Sequence, residues 1–195
     1  MTRAYIVTKG QWDTALLKLL LPENLARDTS FVTGSGSYSA QSIARSILAV
    51  KQLPVALVVD ANTVNEQAIC ERRDFLRELL HQAAAGVPCE AFLAIPEIEI
   101  VFFHDQTLLE RISGEKMTQA QWSTFRFHPK EILLTILEET PERTLATLDS
   151  EAIRILQRYP LVLEIGQFLE WAAKTRYHPF GRQQVQANRR QWIAV

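Results

Sequence analysis

Asp13, Asp60, Asn62, Glu97 and Glu99 carry side-chain oxygens that could converge at one edge of a sheet. Each follows a short apolar run: Ala4–Thr8 for Asp13, Pro54–Val59 for Asp60 and Asn62, Glu90–Ile95 for Glu97 and Glu99. Convergent carboxylates suit a hard cation such as magnesium or manganese, which takes one or two of them together with water and substrate phosphate. Lys9 lies between the first run and Asp13, where an ammonium could meet a phosphate as a point charge. Lys9, Asp13 and Asp60 are therefore the candidate catalytic residues. Asp13, Asp60, Asn62, Glu97 and Glu99 are the candidate metal ligands.

Each residue also has an ordinary structural reading. Asp13 could cap the helix that it opens. Asp60-Ala61-Asn62-Thr63 could be a turn with a helix cap. Glu97 and Glu99, after Pro96, could answer the dipole of a helix. Gly34-Ser35-Gly36-Ser37 could be plain turn chemistry, and it is not a P-loop, because no Gly-Lys-Ser/Thr follows.

The elements that must position these residues alternate. Strands are expected at Ala4–Thr8, Thr29–Thr33, Pro54–Val59 and Glu90–Ile95. Helices are expected at Trp12–Leu21, Ala40–Lys51 and Thr63–Ala85, where apolar residues recur at helical spacing. The run Pro54–Val59 has no polar alternation and reads as a strand buried on both faces. Alternation at this spacing predicts an α/β fold with an open, mostly parallel, four-stranded sheet. Ligands of such sheets bind beyond the carboxyl ends of the strands, where the residues above fall. From about Asp105 the pattern turns helical, over Asp105–Ile112, Gln119–Phe125, Pro129–Glu138, Ser150–Arg158 and Leu161–Thr175. Residues 1–104 thus form an α/β domain and 105–195 a helical extension, with no clean linker between them.

The net charge of −1 on 195 residues gives no global commitment to nucleic acid. The last 25 residues differ. They contain no Asp or Glu and carry Lys174, Arg176, Arg182, Arg189 and Arg190 among Tyr177, Phe180 and Trp192. Such a tail can hold a nucleic-acid backbone and stack on bases, or it can dock on the domain by its aromatic residues. Cys70 and Cys89 match no zinc spacing, and the four histidines include no i, i+4 pair. With no apolar run long enough to span a membrane and no signal peptide, the expectation is a soluble cytoplasmic protein.

Taken in order, Lys9-Gly10-Gln11-Trp12-Asp13, Val58-Val59-Asp60-Ala61-Asn62-Thr63 and Ile95-Pro96-Glu97-Ile98-Glu99 resemble the Toprim family, over roughly residues 4–103. The nearest branch is that of the overcoming-lysogenization-defect-type Toprim nucleases, without the ATPase segment often fused to them. The resemblance implies a Toprim/Rossmann-like sheet, a divalent-metal cofactor and a setting in nucleic-acid or phage-defence biology. It also marks two departures. The family's strand-1 glutamate is Lys9 here, and its second strand-3 aspartate is Asn62. An ammonium about 4 Å from a divalent ion is repelled by roughly 8 kcal/mol at an effective dielectric near 20. Magnesium or manganese binding should therefore be weak or absent.

Three readings follow. The first is a Toprim-like pseudoenzyme that binds phosphate or nucleic acid, through Lys9, Ser35, Lys130, Arg176, Arg182, Arg189 and Arg190. The second is a metal-dependent nuclease with a rearranged site, in which Lys9 stabilises the phosphorane and Lys130 can assist. The third is a structural or assembly protein with a protein partner, whose sign would be an exposed apolar patch on the helical half.

Overall fold

The computed structural model of the chain describes residues 3–114, 116–137, 144–146 and 148–175. Four parallel strands form one open sheet in the order β2-β1-β3-β4. They are β1 (Ala4–Thr8), β2 (Thr29–Thr33), β3 (Val55–Asp60) and β4 (Cys89–Ala94). This is the α/β class that the alternating pattern implies. Every residue of β3 is buried, because β1 and β4 flank it and helices cover both of its faces.

The pleat divides the core in two. Val7, Val55, Leu57, Val59, Ala91 and Leu93 face one helical layer. That layer is α3 (Ser37–Lys51), through Ala40, Ala44 and Leu48, and α4 (Glu66–Ala84), through Ile69, Leu76, Leu80 and Ala84. Ile6, Ala56, Val58, Phe92 and Ala94 face the other way. There they meet α1 (Gln11–Leu20), a 3₁₀ helix (Ile98–His104) and helices from the second half. Those helices are α5 (Gln106–Ser113), α6 (Gln119–Thr124), α7 (Pro129–Leu137), α8 (Ser150–Leu156) and α9 (Pro160–Lys174). The stripe Leu161, Val162, Ile165, Phe168, Leu169 and Ala172 buries α9, with Phe168 edge-on to Phe92 at 5.8 Å. The helical extension therefore shares a core with the sheet.

Several boundaries move for identifiable reasons. Residues Glu23–Asp28 form a short helix, α2, entered from Pro22, although the sequence suggests no element there. The segment after Pro96, where the sequence offers a helix whose dipole Glu97 and Glu99 would answer, winds into a 3₁₀ helix with Glu99 in its first turn. α3 starts at Ser37 rather than Ala40, since serines cost little in a first turn whose N–H groups have no intrahelical partner. α4 starts at Glu66 rather than Thr63, because the Asn65 side chain is the cap, accepting from the Ala68 N–H at 2.9 Å. β3 and β4 each lie one residue from the expected span, so Asp60 is the last residue of a strand and not part of a turn.

Gly34 fixes the turn from β2 into α3. Its N–H donates to Thr8 O at 2.8 Å. A Cβ there would lie 2.6 Å from the Ala40 nitrogen and 3.0 Å from its Cα, both backbone atoms that cannot swing aside. Gly34→Ala is expected to destabilise the fold by about 2 kcal/mol through overpacking. Urea denaturation should show a lower midpoint at an unchanged slope. An unchanged midpoint would mean that the turn relaxes freely.

Candidate functional site

Parallel pairing of Thr8 with Val58 brings the residue after β1 alongside the end of β3. Asp60 shares its strand face with Val58, so it lies on the side covered by α1 and the 3₁₀ helix. There the Lys9 ammonium forms an ion pair and hydrogen bond with Asp60 Oδ2. Asp60 Oδ1 accepts the Ile98 N–H at 3.1 Å, which ties the strand end to the first residue of the 3₁₀ helix. Both oxygens of this 1%-exposed carboxylate are thus engaged.

Two further carboxyl groups surround the pair. Asp13 occupies the third position of α1 and accepts a backbone hydrogen bond from Gly10, the residue before the helix. That is one half of a capping box, so the ordinary reading of Asp13 holds in part. The other oxygen, Oδ2, is buried with no hydrogen-bond partner. Glu99, in the first turn of the 3₁₀ helix, is also buried, and its Oε2 has none. Trp12, the residue before Asp13, stacks on buried Phe102 at 6.2 Å.

Burial governs the electrostatics. It pushes the Asp13 carboxyl up to about 7, with Lys9 opposing the shift and Asp60 and Glu99 adding to it. It raises Asp60 and Glu99 above the ordinary carboxylate range as well, again against the pull of Lys9. Burial pulls Lys9 down, but the bond to Asp60 and the fields of Asp60, Asp13 and Glu99 outweigh it. The ammonium is held more firmly than in free lysine. It faces three carboxyl groups and is the charge around which the site is organised.

A chain of hydroxyls supports the corner. Thr8 Oγ1 lies 2.6 Å from Thr14 Oγ1, which lies 2.7 Å from Thr33 Oγ1. Thr8 also donates to Gly10 O at 3.1 Å. β1, α1 and β2 are pinned together at the strand ends in this way. These threonines are not among the residues whose types point to chemistry in the sequence. Their signal was a threonine at the end of both β1 and β2.

The other candidates are placed as follows. Glu97, half-buried, accepts the Lys130 backbone N–H at 3.3 Å and touches the pair only through its field on Asp60. The Lys130 side chain is exposed at the start of α7. Asn62 is exposed at φ 55°, its N–H donating to Pro96 O at 2.8 Å. Ser35 is exposed in the loop before α3. The structure therefore brings together Lys9, Asp13, Asp60 and Glu99, with Asn62, Glu97, Ser35 and Lys130 apart from them. Arg176, Arg182, Arg189 and Arg190 lie outside the described residues.

Comparison with protein-family models, with curated proteins and with solved structures found no match to this chain. Its chemistry must be argued from the site itself. Among the described residues, no group of three or more His, Cys, Asp or Glu side chains is placed to hold a metal. Asp60 Oδ2 is taken by the Lys9 ammonium and Oδ1 by the Ile98 N–H. Nor is any helix among the described residues long and apolar enough to cross a membrane.

The helical half does carry an exposed apolar feature. Trp122, Phe125 and Phe127, with Gln119, Ser123 and Arg126, line an open hollow of about 530 Å³ on α6 and the turn after it. The sequence already interleaves rings and cations there, as it does in the tail.

Proposed function

We propose that the chain is a Toprim-like pseudoenzyme that binds phosphate or nucleic acid and in which the Lys9 ammonium stands where a metal would otherwise neutralise the carboxylates. The observation that carries this reading is the ion pair between Lys9 and Asp60, set beside buried Asp13 and Glu99. One cation already serves the carboxyl cluster, so a divalent ion would have to displace it against repulsion. Phosphodiester cleavage of the two-metal kind needs ions about 3.5–4 Å apart, and the Lys9 ammonium already holds Asp60 Oδ2, which one of them would use. Phosphate would instead approach over Ser35 and the amino end of α3, whose N–H groups favour an anion. The Lys9 carbonyl already holds that loop by accepting the Gly36 N–H at 2.8 Å.

The test pairs two assays on one preparation. Supercoiled DNA is incubated with the protein in magnesium or manganese. Labelled DNA and RNA are titrated across a range of salt concentrations. The expected result is no nicking, with binding that falls steeply as salt rises. Metal-dependent nicking that Asp60→Ala abolishes would overturn the reading in favour of a nuclease with a rearranged site. No nicking and no binding would leave an assembly protein.

A further inference from the structure

The turn from α6 into α7 has features that the strand-end cluster does not explain. The Phe125 ring lies flat against buried Phe103, with centroids 4.9 Å apart and planes within 2°. Trp122 stands edge-on to Phe125 at 5.0 Å and to Phe103 at 6.2 Å. These rings are fixed before any ligand arrives. Phe127, next to them, is 55% exposed and extends the aromatic lining of the hollow to its open side. Thr118 holds α6 in place through a capping box with Gln121.

The charge around the rings says what covers them. From Thr124 to Lys130 there is no acid and Arg126, His128 and Lys130 are all exposed, with exposed Glu131 just after them and half-buried Glu97 accepting the Lys130 backbone N–H. Among the described residues, neither Arg126 nor Lys130 forms an ion pair. An apolar protein partner would strip water from these cations and offer no charge in return. A polyanion with flat apolar rings meets both needs. In a duplex the rings already stack on one another, so the partner must present free bases.

We propose that this elbow is a docking surface for single-stranded nucleic acid, with a base stacking on Phe127 over the hollow and phosphates meeting Arg126 and Lys130. The proposal rests on the nucleic-acid-binding reading above and names its substrate class. Lys130 also links the elbow to the strand-end site, since its backbone N–H donates to Glu97.

The experiment is fluorescence anisotropy with a labelled single strand of about 12 nucleotides, within the usual span of such sites, and with its duplex. Wild type, Phe127→Ala and the double variant Arg126→Ala/Lys130→Ala are compared, with thermal melts as a check on folding. Wild type should prefer the single strand. Phe127→Ala should weaken it roughly tenfold at an unchanged salt slope, as the loss of one stacked base does. The double variant should flatten the slope by about two contacts. Single-strand binding that Phe127→Ala leaves intact, or a preference for duplex, would overturn the docking surface and leave nucleic-acid binding standing. No binding of either form by wild type would overturn both. Phe127 is exposed, so its truncation leaves the core intact.

Discussion

Lys9→Ala is expected to destabilise the protein by about 3 kcal/mol near neutral pH, because it strands Asp60 as a buried carboxylate without its ammonium. The figure sits at the low end for a broken buried pair, since the Lys9 side chain keeps 22% of its surface in water. The melting temperature should fall by roughly 6–12 °C. The direction of the pH dependence is fixed by the same cluster. With Lys9 gone, the largest pull against burial's upward push on Asp13 and Asp60 is lost, and Glu99 loses one of its two, so that only backbone hydrogen bonds still oppose it. Their folded-state values rise further above the unfolded ones. Stability present at low pH is then lost over a wider range as pH rises. The deficit should therefore shrink as the solution is taken toward pH 5. Melts of wild type and variant across pH check this, and a deficit that is constant with pH would show that Lys9 acts by packing alone.

Asp13 should impose its own pH dependence on the wild-type protein. Its folded value is raised from 3.8 to about 7. Well below pH 3.8 both states are protonated, and the contribution to stability is fully present. As pH rises, the unfolded chain loses its proton first, and the contribution is lost progressively until the folded group ionises near pH 7. The whole effect is about 4 kcal/mol, from a shift of roughly three units at 1.36 kcal/mol each. Asp13→Asn keeps the shape and removes the charge. It should stabilise the fold at pH 8 and reduce the slope of stability between pH 4 and 7 by as much as about 1.4 kcal/mol per pH unit. Asp60 and Glu99 are shifted in the same direction, so some slope should remain. Denaturant titrations from pH 4 to 8 measure it. An unchanged slope in Asp13→Asn would mean that water reaches Asp13 Oδ2.

The sheet was legible in the sequence because strands buried on both faces need unbroken apolar runs, and Val55–Val59 is such a run. The edge on which Lys9, Asp13, Asp60 and Glu99 meet followed from parallel order alone. What did not follow was which of the edge residues turn inward. Asp60 and Asn62 are two apart in sequence, but Asp60 ends a strand and Asn62 sits in a left-handed turn facing water. Glu97 and Glu99 divide in a similar way, through a 3₁₀ helix that no periodicity announced. Short helices such as Glu23–Asp28 leave too few residues for a pattern to show. The ion pair itself was visible only as a warning. Lys9 among acids could have bound phosphate, yet in the folded chain it binds Asp60.

Calorimetric titration of manganese into the wild-type protein at pH 7.5, with Asp60→Ala alongside, addresses the central claim most directly. On the proposed reading the Lys9 ammonium stands in the cation's place, and no saturable heat should then appear in either protein. One-to-one binding by wild type that is lost in Asp60→Ala would contradict the account, since it would show a metal displacing Lys9 from the carboxylate that holds it.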